Sequence, residues 1–295
     1  MILGTTYSYR QAKWLGLEPK ESLQTICTWP FHSLRLGAYW DEIETLPGTY
    51  DFSRLREQLD TCLQSGKQVV LTIGVKSPRW PEFYFPTHVL PDLSSQQTQK
   101  KLLFFIQKTA QLAKKYPNVT HWQVENEPLD PSGPDNLVVP LSFLEQEIEL
   151  LRSVYPLPLI VNLWGNDLSS RGNLQVAQKI ADIVGLDLYY QQYITRILGK
   201  NIYRGPRDRP SSLEQMIVRS HKPTWIMELQ AEPWERDDST FRGKNPESFN
   251  RNKLQKNWDT VKSLPVEAIF FWGAEYWLWQ QNLGNPEFVE WFKNL

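Results

Sequence analysis

Cysteine is nearly missing from this chain. Only Cys27 and Cys62 occur in 295 residues, too few for a disulfide framework and spaced unlike a metal knuckle. Histidine is almost as sparse. His32, His88, His121 and His221 stand far apart, without the spacing by which imidazoles share an ion, so no metal and no cofactor are expected. No long run of one charge sign exists, and 32 Lys and Arg face 33 Asp and Glu for a formal net charge of -1. That balance argues against a nucleic-acid or anionic-membrane surface. No uninterrupted apolar stretch is long enough to span a bilayer. The first residues, Met1 to Tyr7, lack a basic region followed by an apolar core. A signal peptide is therefore not expected, and a cytoplasmic location is.

Apolar residues and tryptophan are what the chain does have. Hydrophobic residues make up 41%, enough for a substantial core, which removes disorder as a reading. Thirteen tryptophans often stand beside Pro, Gly or acidic residues rather than in helical stripes. Core filling accounts for about half of them; the others suit an exposed, aromatic cleft.

Short β-branched or apolar runs recur along the chain. Strands are expected at Ile2 to Tyr7, Ser33 to Gly37, Gln68 to Ile73, Thr120 to Val124, Leu159 to Leu163, Ile183 to Leu188, Thr224 to Met227 and Ala268 to Trp272. Between them apolar residues fall at helical spacing: Phe52, Leu55, Leu59 and Cys62; Leu102, Ile106, Ala110 and Ala113; Leu141, Leu144, Ile148 and Leu151. Shorter faces follow at Leu213, Met216 and Ile217, at Leu254, Trp258 and Val261, and at Phe288, Trp291 and Phe292. A first helix is expected within Arg10 to Leu17. Strands alternating with helices imply parallel pairing with right-handed crossovers, and eight such units suggest a (β/α)8 barrel, a TIM barrel, as one domain over residues 1–295. A doubly wound open sheet is the rival, but no Gly-rich phosphate loop follows the first strand.

The connections are unequal. Links from helix to strand are short, such as Ser65 to Lys67 and His221 to Pro223. Links from strand to helix are long and aromatic: Gly74 to Leu93, Asn126 to Val139, Tyr189 to Pro210, Leu229 to Phe249 and Gly273 to Asn285. Barrels of this kind build sites from the second set, at the C-terminal rim.

Two glutamates close strand-like runs on that rim. Glu127 follows the fourth strand in Trp122-Gln123-Val124-Glu125-Asn126-Glu127-Pro128, and Glu228 follows the seventh in Thr224-Trp225-Ile226-Met227-Glu228-Leu229-Gln230. Most glutamates are solvated loop residues, but these two face one another across a barrel mouth. Converging carboxyl groups are the minimum equipment for cleaving a glycosidic bond, one protonating the departing oxygen and the other attacking or activating water.

The fourth-strand segment resembles the signature of the clan A glycoside hydrolases, the cellulase-like retaining barrels. By that resemblance Glu127 is the general acid/base, Asn126 contacts the sugar 2-hydroxyl and Glu228 is the nucleophile. Leu34-Arg35-Leu36-Gly37-Ala38-Tyr39-Trp40 is similar to the second-strand region, whose arginine, here Arg35, buttresses the nucleophile. Val184-Gly185-Leu186-Asp187-Leu188-Tyr189 resembles the sixth strand, whose tyrosine, here Tyr189, donates a hydrogen bond to it. Asp187 stands where relatives often carry Asn or His. Phe270-Phe271-Trp272-Gly273 resembles the eighth strand, whose tryptophan, here Trp272, floors the sugar site. The implied activity is a retaining β-glycosidase acting on a carbohydrate substrate through a covalent glycosyl-enzyme intermediate.

The chemistry sets each residue a task. Free glutamate titrates at about 4.3, so Glu127 must be raised by desolvation and by the charge of Glu228 to stay protonated. Other carboxylates compete for the role. Glu125 alternates onto the face of Glu127 one step deeper, where packing or an ion pair is expected; Glu232 and Glu275, in the rim segments after strands seven and eight, are candidates to bind sugar hydroxyls. Trp80, Trp164, Trp234 and Trp277 are the further aromatic candidates near the rim, with indole faces suited to pyranose C–H groups. His121, at the start of the fourth strand, is read as structural. Two other functions stay open: an inactive barrel that binds carbohydrate, and a transglycosylase that uses the same intermediate. Retention of both glutamates argues against the first.

Overall fold

Eight strands buried on both faces cannot leave an open edge in water, and in the computed structural model they close on themselves. The residues described are 1–165, 170–205, 217, 220–243 and 245–295. In chain order the strands are β1 (Ile2–Tyr7), β2 (Ser33–Gly37), β3 (Gln68–Ile73), β4 (Val119–Val124), β5 (Leu159–Trp164), β6 (Ile183–Leu188), β7 (Gln192–Ile197), β8 (Lys200–Arg204), β9 (Thr224–Gln230) and β10 (Ala268–Trp272). All but β7 and β8 form a closed barrel in the order β1-β10-β9-β6-β5-β4-β3-β2, with parallel neighbours throughout. The fold is a (β/α)8 TIM barrel. β2, β6, β9 and β10 are buried along their whole length, which explains why they read as continuous apolar runs rather than alternations.

The barrel interior has two layers. Near the N-terminal ends of the strands Ile2, Val70, Ile160, Ile183, Trp225, Met227, Ala268 and Phe270 form an apolar plug. Gly4 admits it, because a side chain there would meet the Phe270 ring at 2.5 Å. Nearer the C-terminal ends the inward residues turn polar: Arg35, Gln123, Asn162, Asp187 and Glu228 are all buried. Apolar burial around and within the barrel drives closure, and each buried aliphatic side chain contributes about 1.5–3 kcal/mol. The polar layer costs stability unless every group finds a partner.

The helical faces expected at Phe52 to Cys62, Leu102 to Ala113 and Leu141 to Leu151 fall in helices Ser53–Gln64, Gln96–Ala113 and Leu141–Val154. Leu55, Leu59, Cys62, Leu102, Ile106, Ala110, Ala113, Leu144, Ile148 and Leu151 are buried, whereas Leu141 stays exposed at the first helical position. The helix expected within Arg10 to Leu17 runs Tyr9–Trp14. Most of the face expected at Leu213, Met216 and Ile217 lies outside the described residues.

Several expectations need correction. The last of the expected rim loops, Gly273 to Asn285, is mostly helix: Ala274–Asn282 is helical, with Ala274, Glu275, Tyr276, Trp277, Leu278 and Gln280 all buried. Burial on nearly every side erases the apolar stripe by which a surface helix is read. The span from Tyr189 to Pro210 contains the antiparallel β7–β8 hairpin, and Asp238–Phe241 forms a short helix in the span from Leu229 to Phe249. Helices Pro19–Cys27 and Ser170–Ile180 have no counterpart among the expected elements. Strand β9 continues to Gln230, so Glu228 lies within it rather than beyond it.

Candidate active site

Glu127 and Glu228 reach one cavity by two different distortions of regular strand. After β4 the chain takes positive φ at Glu125 (60°) and Glu127 (46°), a left-handed conformation that non-glycine residues adopt only where the surroundings hold it. Hydrogen bonds supply that hold. The Glu127 amide donates to Asn162 Oδ1 at 2.9 Å, and the buried Lys76 donates Nζ to the Glu127 carbonyl at 2.7 Å and to the Asp130 carbonyl at 2.8 Å. In β9 the distortion is a register shift. Ile226 pairs with Leu186 and Ile269, Glu228 with Asp187, and Leu229 with Phe271. One extra residue therefore fits between Ile226 and Leu229, and both Met227 and Glu228 can face the interior, Met227 into the plug and Glu228 into the mouth.

The two carboxyl groups have opposite environments. Glu228 is 3% exposed. Arg35 Nη1 donates to its Oε1 at 2.6 Å, and the Tyr189 hydroxyl donates to its Oε2. Burial and the Glu228 charge push the Tyr189 hydroxyl far above the usual phenol range, so it remains a donor. Glu127 is 7% exposed, and its Oε1 receives no N–H donor among the described residues. Burial first, and then the nearby Glu228 charge, push its pKa from 4.5 to about 8.

Around this pair the polar layer is closely connected. Asn126 Oδ1 accepts from Arg35 Nη2, from Asn162 Nδ2 at 3.0 Å and from Gln123 Nε2 at 3.3 Å. With Oδ1 claimed by three donors, the Nδ2 amide is the group left for a ligand in the cavity that Asn126 lines. Asp187 is fully buried and accepts from Asn162 Nδ2. Arg79 donates to Glu232 and, at 3.1 Å, to Glu275, with its guanidinium 4.1 Å from the centre of the Trp272 ring. Burial pushes the Glu232 carboxyl up to about 7 against the opposing effect of Arg79.

The cavity is about 470 Å³, within the range of small-ligand sites. Glu127, Glu228, Asn126, Tyr189, Glu232, Trp80, Trp164, Trp234 and Trp272 line it. Trp164 stacks on Tyr189 at 5.3 Å, Trp234 meets Tyr189 edge-on at 4.8 Å, and Trp80 stands 70% exposed at the rim. Trp272 is 8% exposed.

Four sequence candidates do not line this cavity. Glu275 does not line the cavity; it is fully buried behind Arg79 and also accepts the Ser8 amide. Trp277 belongs to the core, where its Nε1 donates to the Ala231 carbonyl at 2.7 Å. Glu125 does not share the face of Glu127, because the left-handed turn breaks the strand alternation. Its carboxyl accepts the Val75 amide at 3.0 Å and the Lys76 amide, beside the equally buried Glu147 of helix Leu141–Val154, whose carboxyl is pushed up by burial and then by the Glu125 charge. Arg35 is buried behind the cavity wall and reaches the cavity only through Glu228 and Asn126, to both of which it donates.

Sequence reasoning missed Asn162, Gln123, Lys76 and Arg79. The one available signal was polar residues inside otherwise apolar strands, at Gln123 and Asn162.

Comparison with known proteins agrees on the architecture. No protein-family model matches the chain, and no curated protein matches it in sequence. Solved structures do. A β-galactosidase from the psychrophilic Marinomonas ef1 superimposes with a TM-score of 0.62 at 15% identity, over 92% of this chain and 54% of its own. A family 39 glycoside hydrolase from Bacteroides cellulosilyticus WH2 gives 0.59 at 14% identity, over 92% and 55%. An exo-β-1,4-mannosidase from Opitutaceae bacterium strain TAV5 gives 0.65 at 13% identity, over 100% and 59%. The chain thus spans between 54% and 59% of the length of these structures. At such identities the likeness is one of fold alone, a (β/α)8 barrel that these glycoside hydrolases also contain.

Proposed function

We propose that this protein is a retaining β-glycosidase, a single catalytic barrel that hydrolyses O-glycosidic bonds by double displacement and needs no cofactor. One observation carries the reading. Two buried carboxyl groups, one just after β4 and one within β9, line the same cavity, the first pushed up to about 8 and the second paired with Arg35.

Glu127, protonated at neutral pH, donates its proton to the departing glycosidic oxygen as Glu228 attacks the anomeric carbon. Arg35 and the Tyr189 hydroxyl hold the Glu228 carboxylate oriented and supply the stabilisation that it would otherwise take from water. Ester formation removes the charge on Glu228, which lowers the affinity of Glu127 for a proton. Glu127, ionised by its own donation, then takes a proton from the incoming water. Asn126 Nδ2 is placed to bind the 2-hydroxyl, and the Trp272 face to support the ring. Trp80, Trp234 and Glu232 contact the substrate elsewhere in the cavity. The partner is a small carbohydrate, and no nucleic acid is involved.

The solved neighbours include a β-galactosidase and an exo-β-1,4-mannosidase by name, which makes β-galactosides and β-mannosides the first substrates to try. Incubation with a panel of aryl β-glycosides tests the reading, with release of the aryl alcohol as readout. Turnover of at least one member that disappears in Glu228→Gln supports it. Saturable sugar binding without turnover of any member would favour the binding-only barrel.

A further inference from the structure

A third carboxyl group shares the polar layer with the proposed acid and nucleophile, and the mechanism above leaves it idle. Asp187, near the end of β6, is 0% exposed and sits in register with Glu228 across the β6–β9 ladder. Asn162 Nδ2 donates to its Oδ2, but among the described residues its Oδ1 receives no N–H donor. Glu127 Oε1 is in the same position. The two carboxyl groups are buried neighbours, each acting on the charge of the other, and neither of these two oxygens has another partner among the described residues. Ionised carboxylates only accept, so a hydrogen bond between them requires a proton.

We propose that Asp187 is a positioning residue that keeps its proton through the catalytic cycle and donates it, as a hydrogen bond, to Oε1 of Glu127. The inference rests on the reading of Glu127 as acid/base. Its consequence is an assignment of the Glu127 oxygens. With Oε1 engaged by Asp187, the transferable proton sits on Oε2, the oxygen left for the cavity. After that proton passes to the leaving group, the Asp187 hydroxyl stays where it is and now donates to a carboxylate, a stronger bond. When water is deprotonated, Oε2 recovers a proton and the resting state returns. The pair loses one proton and regains one, and Asp187 exchanges none.

The charges around Asp187 agree on where that proton stays. Glu228 on β9 and Glu127 after β4 both disfavour a second anion, and burial does so more strongly. Arg35 on β2 opposes them, but its Nη1 and Nη2 donate to Glu228, Thr6 and Asn126 rather than to Asp187. Asn162 on β5 and Tyr189 just after β6 add no charge. An asparagine in place of Asp187 would keep the geometry, with Oδ1 accepting from Asn162 and Nδ2 donating to Glu127.

The experiment has two arms. In the first, the protein is labelled with aspartate carrying carbon-13 at the carboxyl, and the Asp187 resonance is assigned by its loss in Asp187→Asn. The signal is expected to hold the position of an un-ionised acid from pH 5 to pH 8. An ionised position at neutral pH overturns the proposal. In the second, kcat and KM are measured on an aryl glycoside for Asp187→Asn and Asp187→Leu. Removal of a donor that sets an acid/base group should lower kcat by about 100-fold in the leucine variant, the lower end of what acid/base catalysis supplies. The asparagine variant should recover most of that loss, with KM little changed in both. Equal losses in the two variants refute the positioning role. The resonance arm needs no substrate, so it still decides the protonation of Asp187 if no glycoside is turned over and the glycosidase reading itself fails.

Discussion

Glu127→Gln should make the protein more stable, by an amount that grows with pH. In the folded chain the Glu127 carboxyl is pushed from 4.5 to about 8, by burial and then by Glu228. The sign follows from proton counts. Below pH 4.5 the group is protonated in both the folded and unfolded states and contributes nothing to pH dependence. Between 4.5 and about 8 the unfolded chain has released a proton that the folded chain still holds, so stability falls as pH rises. Each unit is worth about 1.4 kcal/mol, which sets a ceiling of about 5 kcal/mol above pH 8. Glutamine resembles the protonated acid in shape and does not titrate. The variant should therefore match the wild type near pH 4.5 and exceed it by a few kcal/mol at pH 8.5, a large part of the ~5–15 kcal/mol that holds a domain together. Urea denaturation at intervals of one pH unit, with CD as readout, measures the difference directly. A gap independent of pH, or a glutamine variant weaker than wild type at pH 8.5, would refute the account of Glu127 as a buried, protonated acid.

The remaining predictions concern catalysis. Activity should fall with rising pH near 8, as Glu127 loses the proton it must donate, and Glu127→Gln should abolish that limb with the activity; a limb unmoved by the chemistry of Glu127 contradicts its role. Glu127→Ala should spare formation of the glycosyl-enzyme from an activated aryl glycoside but slow its hydrolysis by about 100-fold or more, and azide should restore turnover as a β-glycosyl azide. An α-azide would contradict retention. Glu228→Gln should leave sugar binding intact while lowering kcat by several orders of magnitude; survival of activity there, with loss in Glu232→Gln, would move the nucleophile. Trp80→Ala should raise KM several-fold without lowering the melting temperature, because Trp80 is 70% exposed at the rim; a lowered melting temperature with unchanged KM would make it a structural residue.

The barrel was legible because parallel strands covered on both faces leave continuous apolar runs, and all eight runs fall on barrel strands. The convergence of Glu127 and Glu228 was legible for a related reason: strand ends in a barrel share one rim, whatever their separation in sequence. The contacts of Arg35 and Tyr189 with Glu228 were expected from resemblance, and both are present. Pattern failed where tertiary structure overrides local periodicity. Ala274–Asn282 is buried almost all round, so its residues looked like an aromatic loop, and Glu275 and Trp277 were placed on the rim when they face inward. Glu125 misled because alternation stops where φ turns positive. Asn162, Lys76 and Arg79 act through partners 25 to 196 residues away, and no local pattern encodes such partnerships.

The central claim is a covalent glycosyl-enzyme on Glu228 with Glu127 as its acid/base. If it holds, the two carboxyl groups should lie roughly 5–5.5 Å apart in a crystal structure, against roughly 6.5–9.5 Å for an inverting pair. The direct measurement is to trap the intermediate. An activated 2-deoxy-2-fluoro glycoside of the preferred sugar slows both steps and the second more, so the adduct accumulates. Intact mass spectrometry should show one added glycosyl unit per chain, and peptide fragmentation should place it on Glu228. A label on Glu232 or Asp187, or rapid turnover with no adduct and an inverted first product, would contradict the account.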